Sequence, residues 1–221
     1  MSGGERRKAK DQLFDGFAAV AKALASGRRA EIVDLLAQGE RRVDDIANEL
    51  GQSVANTSHH LRTLARVGLL ASRRTGTQVH YRLASDDVLD LWWAMRRIAA
   101  TQVEGLDQLV SGYLGDREQI RTLTRQELLA RLDRGDVVVV DVRPAAEYAA
   151  GHLPGALNVP PDQLELLDEL PGDREVVAYC RGSYCVYADD AVRRLQQHGR
   201  RALRLEDGVP EWRRAGSPVE V

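Results

Sequence analysis

The 221-residue sequence is poor in the features that define secreted or membrane proteins. It has only two cysteines, Cys180 and Cys185, too few for a disulfide scaffold. No apolar run approaches the roughly 20 residues of a transmembrane helix, and no apolar signal core follows the basic N-terminus. The hydrophobic content of 43% is that of a folded globular protein. We therefore expect a cytoplasmic protein with no membrane partner.

Acidic residues are absent from one long stretch of the chain, between Gln52 and Ser85, although the net charge of the whole chain is -2. The arginines of this stretch are Arg62, Arg66, Arg73, Arg74 and Arg82. A basic segment in a nearly neutral chain is typical of a nucleic-acid-binding surface. The alternative is a solvated face that happens to be basic.

The hydrophobic pattern changes near the middle of the sequence. Up to about Tyr113 the spacing is helical, and it predicts one long helix over Asp86–Tyr113. Beyond it, three apolar runs predict buried strands: Val137–Val140, Glu175–Tyr179 and Ala202–Leu205. Helical patterns alternate with these runs at Asp162–Leu170 and Val186–His198. The alternation predicts a parallel α/β sheet, so we place domains at residues 1–115 and 116–221.

The first domain contains the pattern of a helix-turn-helix followed by a β-hairpin. Short helices are predicted over Val43–Leu50 and Ser53–Val67, and the hairpin has Gly76 at its tip. The second helix carries small polar side chains that are expected to face base edges: Ser53, Asn56, Thr57, Ser58 and His60. Flanking side chains are expected to reach phosphates or the minor groove: Arg62, Arg73, Arg74, Gln78 and Arg82.

Three segments of this domain resemble the winged-helix repressors of the ArsR/SmtB family: Asp45–Gly51, Thr57–Leu64 and Val67–Leu70. The resemblance implies a homodimer built on the first and last helices, double-stranded operator DNA as partner, and repression relieved by an inducer. The cysteine pair that metal-sensing members carry near the third helix is replaced here by Arg42, Val43 and Asp44. The predicted last helix contains no histidine, so we expect no metal and no cofactor.

The two cysteines bound a loop between a predicted strand and a predicted helix. Open α/β folds place their sites at this end of the sheet, and the backbone N–H groups there stabilise anions. Cys180 is therefore a candidate nucleophile with a lowered pKa, with a buried inert cysteine as the alternative. Arg181, the cation of the loop, is a further candidate catalytic residue, and Gly182, Ser183 and Tyr184 are expected to support the loop, with Gly182 supplying the curl.

Motifs around this loop resemble the rhodanese domain: Asp141–Pro144, Glu147–Tyr148, Gly151–Pro160 and Gly208–Pro218. The resemblance implies transfer of sulfane sulfur through a persulfide on Cys180. It also implies that Asp141, Arg143, Glu147 and His152 support the loop rather than transfer protons. Related phosphatases and arsenate reductases have arginine where this chain has Val186, which argues against phosphate or arsenate as substrate.

The sequence thus predicts an α+β winged helix-turn-helix domain followed by an α/β rhodanese domain with a parallel central sheet. The leading hypothesis is a homodimeric repressor that detects a small sulfur-containing inducer or a thiol oxidant. In it, Cys180 has the lower pKa and reacts first, and Cys185 resolves the product. Two alternatives stay open: a sulfurtransferase that the winged helix only targets, and a ligand-binding module without sulfur chemistry.

Overall fold

The chain divides into two compact units, Met1–Thr101 and Gln102–Val221, and the computed structural model describes residues 2–221. The predicted division after residue 115 falls later than this, because the short helix at Leu106–Leu114 groups with the second unit. The assignment of residues 1–115 and 116–221 to functional domains stays a prediction.

The first unit packs helices around a small antiparallel sheet. Its described helices are α1 (Gly3–Leu24), α2 (Gly27–Ala37), α3 (Val43–Glu49), α4 (Val54–Arg66) and α5 (Asp86–Gln102). Its strands, in the order β1-β3-β2, are β1 (Arg41–Arg42), β2 (Leu70–Thr75) and β3 (Gln78–Leu83). Ile32, Ile46, Leu61 and Leu64 are fully buried where α2, α3 and α4 meet. This apolar contact fixes the orientation of α4.

The turn between α3 and α4 forms as the sequence predicts. Gly51 has a φ of +59°, a conformation that glycine adopts without strain. Ser53 caps α4, because its hydroxyl accepts a hydrogen bond from the Asn56 N–H at 3.2 Å. The helix-turn-helix therefore follows from local turn and capping chemistry.

The prediction of one continuous helix over Asp86–Tyr113 is wrong. Helix α5 ends at Gln102, and Gly105, with a φ of +76°, precedes helix α6 (Leu106–Leu114). Apolar residues recur at helical spacing on both sides of the break, which is why periodicity alone missed it.

The second unit has a five-stranded parallel sheet in the order β4-β8-β7-β5-β6. Its strands are β4 (Thr122–Leu123), β5 (Val137–Asp141), β6 (Leu157–Asn158), β7 (Glu175–Tyr179) and β8 (Ala202–Leu205). Its helices after α6 are α7 (Arg125–Leu132), α8 (Ala145–Ala149), α9 (Tyr187–Gln197) and α10 (Val209–Arg214). The helix predicted over Asp162–Leu170 is instead a 3-10 helix, Leu164–Glu169, confined between prolines on both sides.

Apolar layers cover both faces of this sheet. Helix α9 and the 3-10 helix pack on one face, whereas α7 and α10 pack on the other, where Trp212 is fully buried. Strands β5 and β7 are therefore shielded on both sides, as their continuous apolar runs predict. Both end at the same edge, and the Cys180–Cys185 loop leaves the sheet there, between β7 and α9.

Candidate functional site

The cysteine loop is tightly packed against the backbone that precedes α10. Gly182 has a φ of +97°, which allows the loop to curl. A Cβ added at Gly208 would lie 2.9 Å from the Arg181 carbonyl carbon and the Gly182 nitrogen, closer than side chains tolerate. Gly208 therefore lets α10 begin directly against the loop, which restricts its conformations.

The loop brings the two thiols together. Cys180 is 1% exposed and Cys185 is 9% exposed, and each thiol shifts the pKa of the other. The Cys180 thiol donates a hydrogen bond to the Cys185 carbonyl at 3.7 Å. The backbone N–H groups of Arg181 and Tyr187 favour the thiolate form of Cys185 and lower its pKa. The N–H of Ala188 acts in the same direction on the pKa of Cys180, but burial outweighs it. Both thiols are free, so the site is a reduced dithiol.

The surroundings of the two thiols favour the opposite pKa order to the one predicted from the sequence. Burial raises the pKa of Cys180 well above its usual value, because the charged form loses its hydration. The neighbouring Cys180 thiol, followed by the Arg181 and Tyr187 N–H groups, lowers the pKa of Cys185 to about 7. Cys185 is thus the more acidic thiol of the pair.

Arg181 is turned toward a buried carboxylate. Its Nε lies 3.0 Å from Glu147 Oε1, and Glu147 is almost fully buried. Its guanidinium also lies over the Tyr187 ring, 5.4 Å from the centroid. Ser183 and Tyr184 form the exposed tip of the loop. Arg181 therefore anchors the loop to α8 through an ion pair, and its charge also lowers the pKa of Cys185.

A buried ionic network beneath the loop escaped the sequence analysis. Asp189, which is 0% exposed in α9, binds Arg117 Nε at 2.6 Å and Arg204 Nε at 2.9 Å. Arg204 donates to the Gly182 carbonyl at 2.7 Å, and Arg117 donates to the carbonyls of Ser183 and Cys185 at 2.9 and 3.2 Å. The sequence does contain a signal for this network: one charged residue lies in each of two otherwise apolar stretches, strand β8 and the inner face of helix α9.

The supporting residues predicted from the rhodanese motifs form two groups. Asp141 and Arg143 are fully buried and paired, and the Tyr179 hydroxyl donates to Asp141 at 2.6 Å. His152 stacks on Tyr148 with ring centroids 3.7 Å apart. The first group ties the ends of β5 and β7 together, whereas His152 packs on α8 rather than on the thiols.

A metal site would need further ligands near these thiols. Within residues 2–221, no three His, Cys, Asp or Glu side chains are grouped closely enough to hold a metal ion. The expectation of a metal-free protein stays a prediction.

The exposed face of α4 carries part of the predicted base-reading set. Ser53 and Asn56 are exposed, and the Asn56 amide donates to Gln52 at 2.7 Å. The prediction for Thr57 is wrong, because it is 0% exposed and packs inward. Ser58 and His60 are half-buried, and burial together with the nearby Arg29 lowers the pKa of His60.

Two residues complete the outer face of α4. Arg62 is exposed as expected, and His59 is exposed on the same side but was not included among the predicted contacts. His59 follows Asn56 by three residues and precedes Arg62 by three, so helical spacing alone could have identified it. The face thus presents an amide, an imidazole and a guanidinium in a row.

The hairpin presents its cations on two different faces. The strand register places Arg73, Gln78 and Arg82 on one face and Arg74 on the other. Arg73 is paired with Glu40, with its Nε 2.8 Å from Glu40 Oε1, and this contact lowers the pKa of Glu40. All four side chains are exposed. The predicted wing residues are therefore at the surface, but Arg73 already has an acidic partner.

Comparison with known proteins identifies both units. Residues 26–72 match the family model of bacterial regulatory proteins of the arsR family, and residues 124–215 match the rhodanese-like domain. The chain is 48% identical to the HTH-type transcriptional regulator Rv0324 of Mycobacterium tuberculosis, over 100% of this chain and 96% of that protein. It is also 37% identical to a sulfurtransferase of Allochromatium vinosum, over 45% of this chain and 94% of that protein.

Among solved structures, the winged helix-turn-helix fragment of Mb0332 from Mycobacterium bovis is 44% identical. That match covers 47% of this chain and 94% of the fragment, with a TM-score of 0.42. No helix in residues 2–221 is long and apolar enough to cross a membrane.

A winged helix-turn-helix followed by a parallel α/β unit with a cysteine loop defines a two-domain transcriptional regulator. The chain belongs to the ArsR family of bacterial regulatory proteins and carries a C-terminal rhodanese domain. The fold class and the family predicted from the sequence are thereby confirmed.

Proposed function

We propose that the chain is a DNA-binding repressor whose rhodanese domain senses reactive sulfur species through Cys180 and Cys185. The observation that carries this proposal is the pair of buried thiols at the two ends of one curled loop, close enough for each to shift the pKa of the other. A single nucleophile would be enough for sulfur transfer, whereas a neighbouring second thiol can convert the first adduct into a bridge. A bridge changes the loop, which is what a sensor requires.

The proposed DNA surface consists of the outer face of α4 and the hairpin. Asn56 and His59 would face base edges, while Arg62 and Arg82 would contact phosphates. A homodimer would present two such surfaces to two half-sites of an operator. The exposed apolar residues Leu13, Phe14 and Phe17 on α1 support a dimer, because a partner helix would bury them.

The proposed sensing reaction uses hydrogen disulfide, HSSH, as the simplest reactive sulfur donor. The Cys185 thiolate attacks one sulfur of HSSH, so a Cys185–sulfur bond forms, the donor S–S bond breaks and hydrosulfide leaves. Cys180 then gives its proton to the departing hydrosulfide, which leaves as H2S, and its sulfur attacks the cysteine sulfur of the Cys185 persulfide. A Cys180–Cys185 disulfide forms and a second hydrosulfide leaves. Two thiols are oxidised, and HSSH is reduced to two H2S.

The order of attack follows from the environment of each thiol. Cys185 has the lower pKa and the greater exposure, so it supplies the first thiolate. This reverses the roles expected from the sequence.

Mass spectrometry of polysulfide-treated Cys180→Ser and Cys185→Ser variants tests the order. We expect a stable persulfide on Cys185 in the first variant and slow modification in the second; a persulfide only in Cys185→Ser would contradict it.

A sulfurtransferase is the second candidate function. It is favoured by the position of Cys180 at the carboxyl end of β7, where the rhodanese motif places its nucleophile, and by the likeness to a sulfurtransferase. Steady-state release of product with a thiol acceptor in excess separates the candidates. The sensor reacts once and stops at the bridge, whereas the enzyme continues to turn over.

A further inference from the structure

Arg117 lies in the connection between α6 and β4, yet its guanidinium is inserted under the cysteine loop. It binds the Asp189 carboxylate and donates to the carbonyls of Ser183 and Cys185. Arg117 is thus in direct contact with the backbone of one of the two cysteines. No motif of the rhodanese or winged-helix resemblance accounts for this contact.

The other members of the network are more deeply buried than Arg117. Asp189 is 0% exposed and Arg204 is 3% exposed, and both belong to packed elements, α9 and β8. The Arg117 side chain is 27% exposed and belongs to a connecting segment. If the loop changes shape, Arg117 can leave at the smallest cost, because its guanidinium can be rehydrated.

Bridge formation moves the carbonyls that Arg117 holds. A disulfide brings its two sulfur atoms to about 2.0 Å, much closer than two separate thiols can approach. We expect the loop between the cysteines to contract as that gap closes. The bonds from Arg117 to Ser183 and Cys185 are already 2.9 and 3.2 Å long, so a shift on the order of 1 Å takes them beyond hydrogen-bonding range.

The segment around Arg117 has a second attachment that does not involve the loop. Arg193 of α9 donates to the Asp116 carbonyl at 2.8 Å and to the Leu114 carbonyl at 3.5 Å. Both attachments hold the same few residues at the end of α6. Arg117 attaches the segment to the loop, whereas Arg193 attaches it without contacting the loop. Replacing Arg193 is therefore a matched control, because it removes an attachment and leaves the loop contacts in place.

We propose that Arg117 is the positioning residue that couples the state of the Cys180–Cys185 pair to the segment that follows α6. In the reduced protein Arg117 holds this segment against the loop, and in the bridged protein its hydrogen bonds to the loop carbonyls break. This inference rests on the proposed sensing function, because it requires that bridging changes DNA affinity.

The test measures two quantities on each polysulfide-treated sample: loss of two hydrogens by mass spectrometry, and affinity for a DNA fragment selected by the wild-type protein from a random pool. The full-length wild type, Arg117→Ala, Arg117→Lys and Arg193→Ala proteins are compared, each with thermal unfolding as a folding check. In the wild type we expect bridging to weaken DNA binding by about tenfold or more, a common size for coupling between sites.

Arg117→Ala is expected to form the bridge while its DNA affinity changes by about twofold or less. Arg117→Lys, which cannot span both carbonyls and the carboxylate, is expected to fall between this variant and the wild type. Arg193→Ala is expected to respond like the wild type. The proposal is overturned if Arg117→Ala, or Arg117→Lys should the alanine variant not fold, responds fully. A wild type that bridges without any change in affinity refutes the proposed function itself.

Discussion

Replacing Asp189 by asparagine is expected to destabilise the second unit strongly, because Asp189 is the counter-charge of two arginines. Arg204 is 3% exposed and would keep its charge in the interior without a carboxylate partner. Removing one partner of a buried ion pair typically costs about 3–5 kcal/mol. Arg117 adds little to this, since its partly exposed side chain can turn toward water. The expected loss is therefore about 3–5 kcal/mol, mainly from Arg204.

The neighbouring residue provides a matched control. Asp190 lies on the same helix and pairs with Arg193 at 3.2 Å, but its side chain is 52% exposed. Asp190→Asn should cost less than about 1 kcal/mol, as exposed ion pairs do. Amide hydrogen exchange of peptides that cover β5 and β7, measured on the full chain, reports the opening free energy of this unit. Equal effects of the two substitutions would refute the assignment of Asp189 as the buried centre of the network.

The remaining predictions concern the thiols, the loop packing and the DNA surface. Alkylation of the wild type should rise with pH around a midpoint of about 7, because the Cys185 thiolate forms there. The Cys180→Ala variant should have a higher midpoint, because the Cys180 thiol lowers the pKa of Cys185. An unchanged midpoint would show that Cys180 has no effect on the pKa of Cys185. Gly208→Ala should impair bridging by polysulfide, because its Cβ would meet the loop backbone at 2.9 Å, whereas Gly172→Ala, with open space around it, should not. Arg62→Ala should weaken binding to all DNA sequences and flatten the salt dependence by about one unit. Asn56→Ala should cost about 1–3 kcal/mol on the preferred sequence alone, while Thr57→Ser, at a buried position, should leave sequence preference unchanged.

Local chemistry made much of the fold predictable. Strands β5, β7 and β8 lie within one residue of their predicted ends, because apolar runs buried on both faces have few alternative structures. Helix α4 begins and ends within one residue of its predicted bounds because Ser53 caps it and Gly68, with a φ of +77°, follows it. By contrast, the two-residue strands β1, β4 and β6 have no detectable period and exist because neighbouring strands pair with them.

The candidate site was only partly predictable, because its chemistry depends on contacts between distant residues. The loop itself was found from Cys180, Gly182 and Cys185. Whether a sulfur faces backbone N–H groups or an apolar layer depends on side-chain direction, so the pKa order could not be derived from the sequence. Arg117 reaches Asp189 and the loop from 72 and 66 residues away along the chain, and no sequence spacing indicates such a contact.

The central claim is that a bridge between Cys180 and Cys185 controls DNA binding. The most direct measurement is the DNA affinity of the wild type and of the Cys180→Ser, Cys185→Ser double variant, before and after polysulfide treatment, with the mass recorded on the same samples. We expect the untreated proteins to bind equally, and only the wild type to lose two hydrogens and release DNA. Release of DNA by the treated double variant, or a fully bridged wild type that binds as tightly as before, would contradict the account.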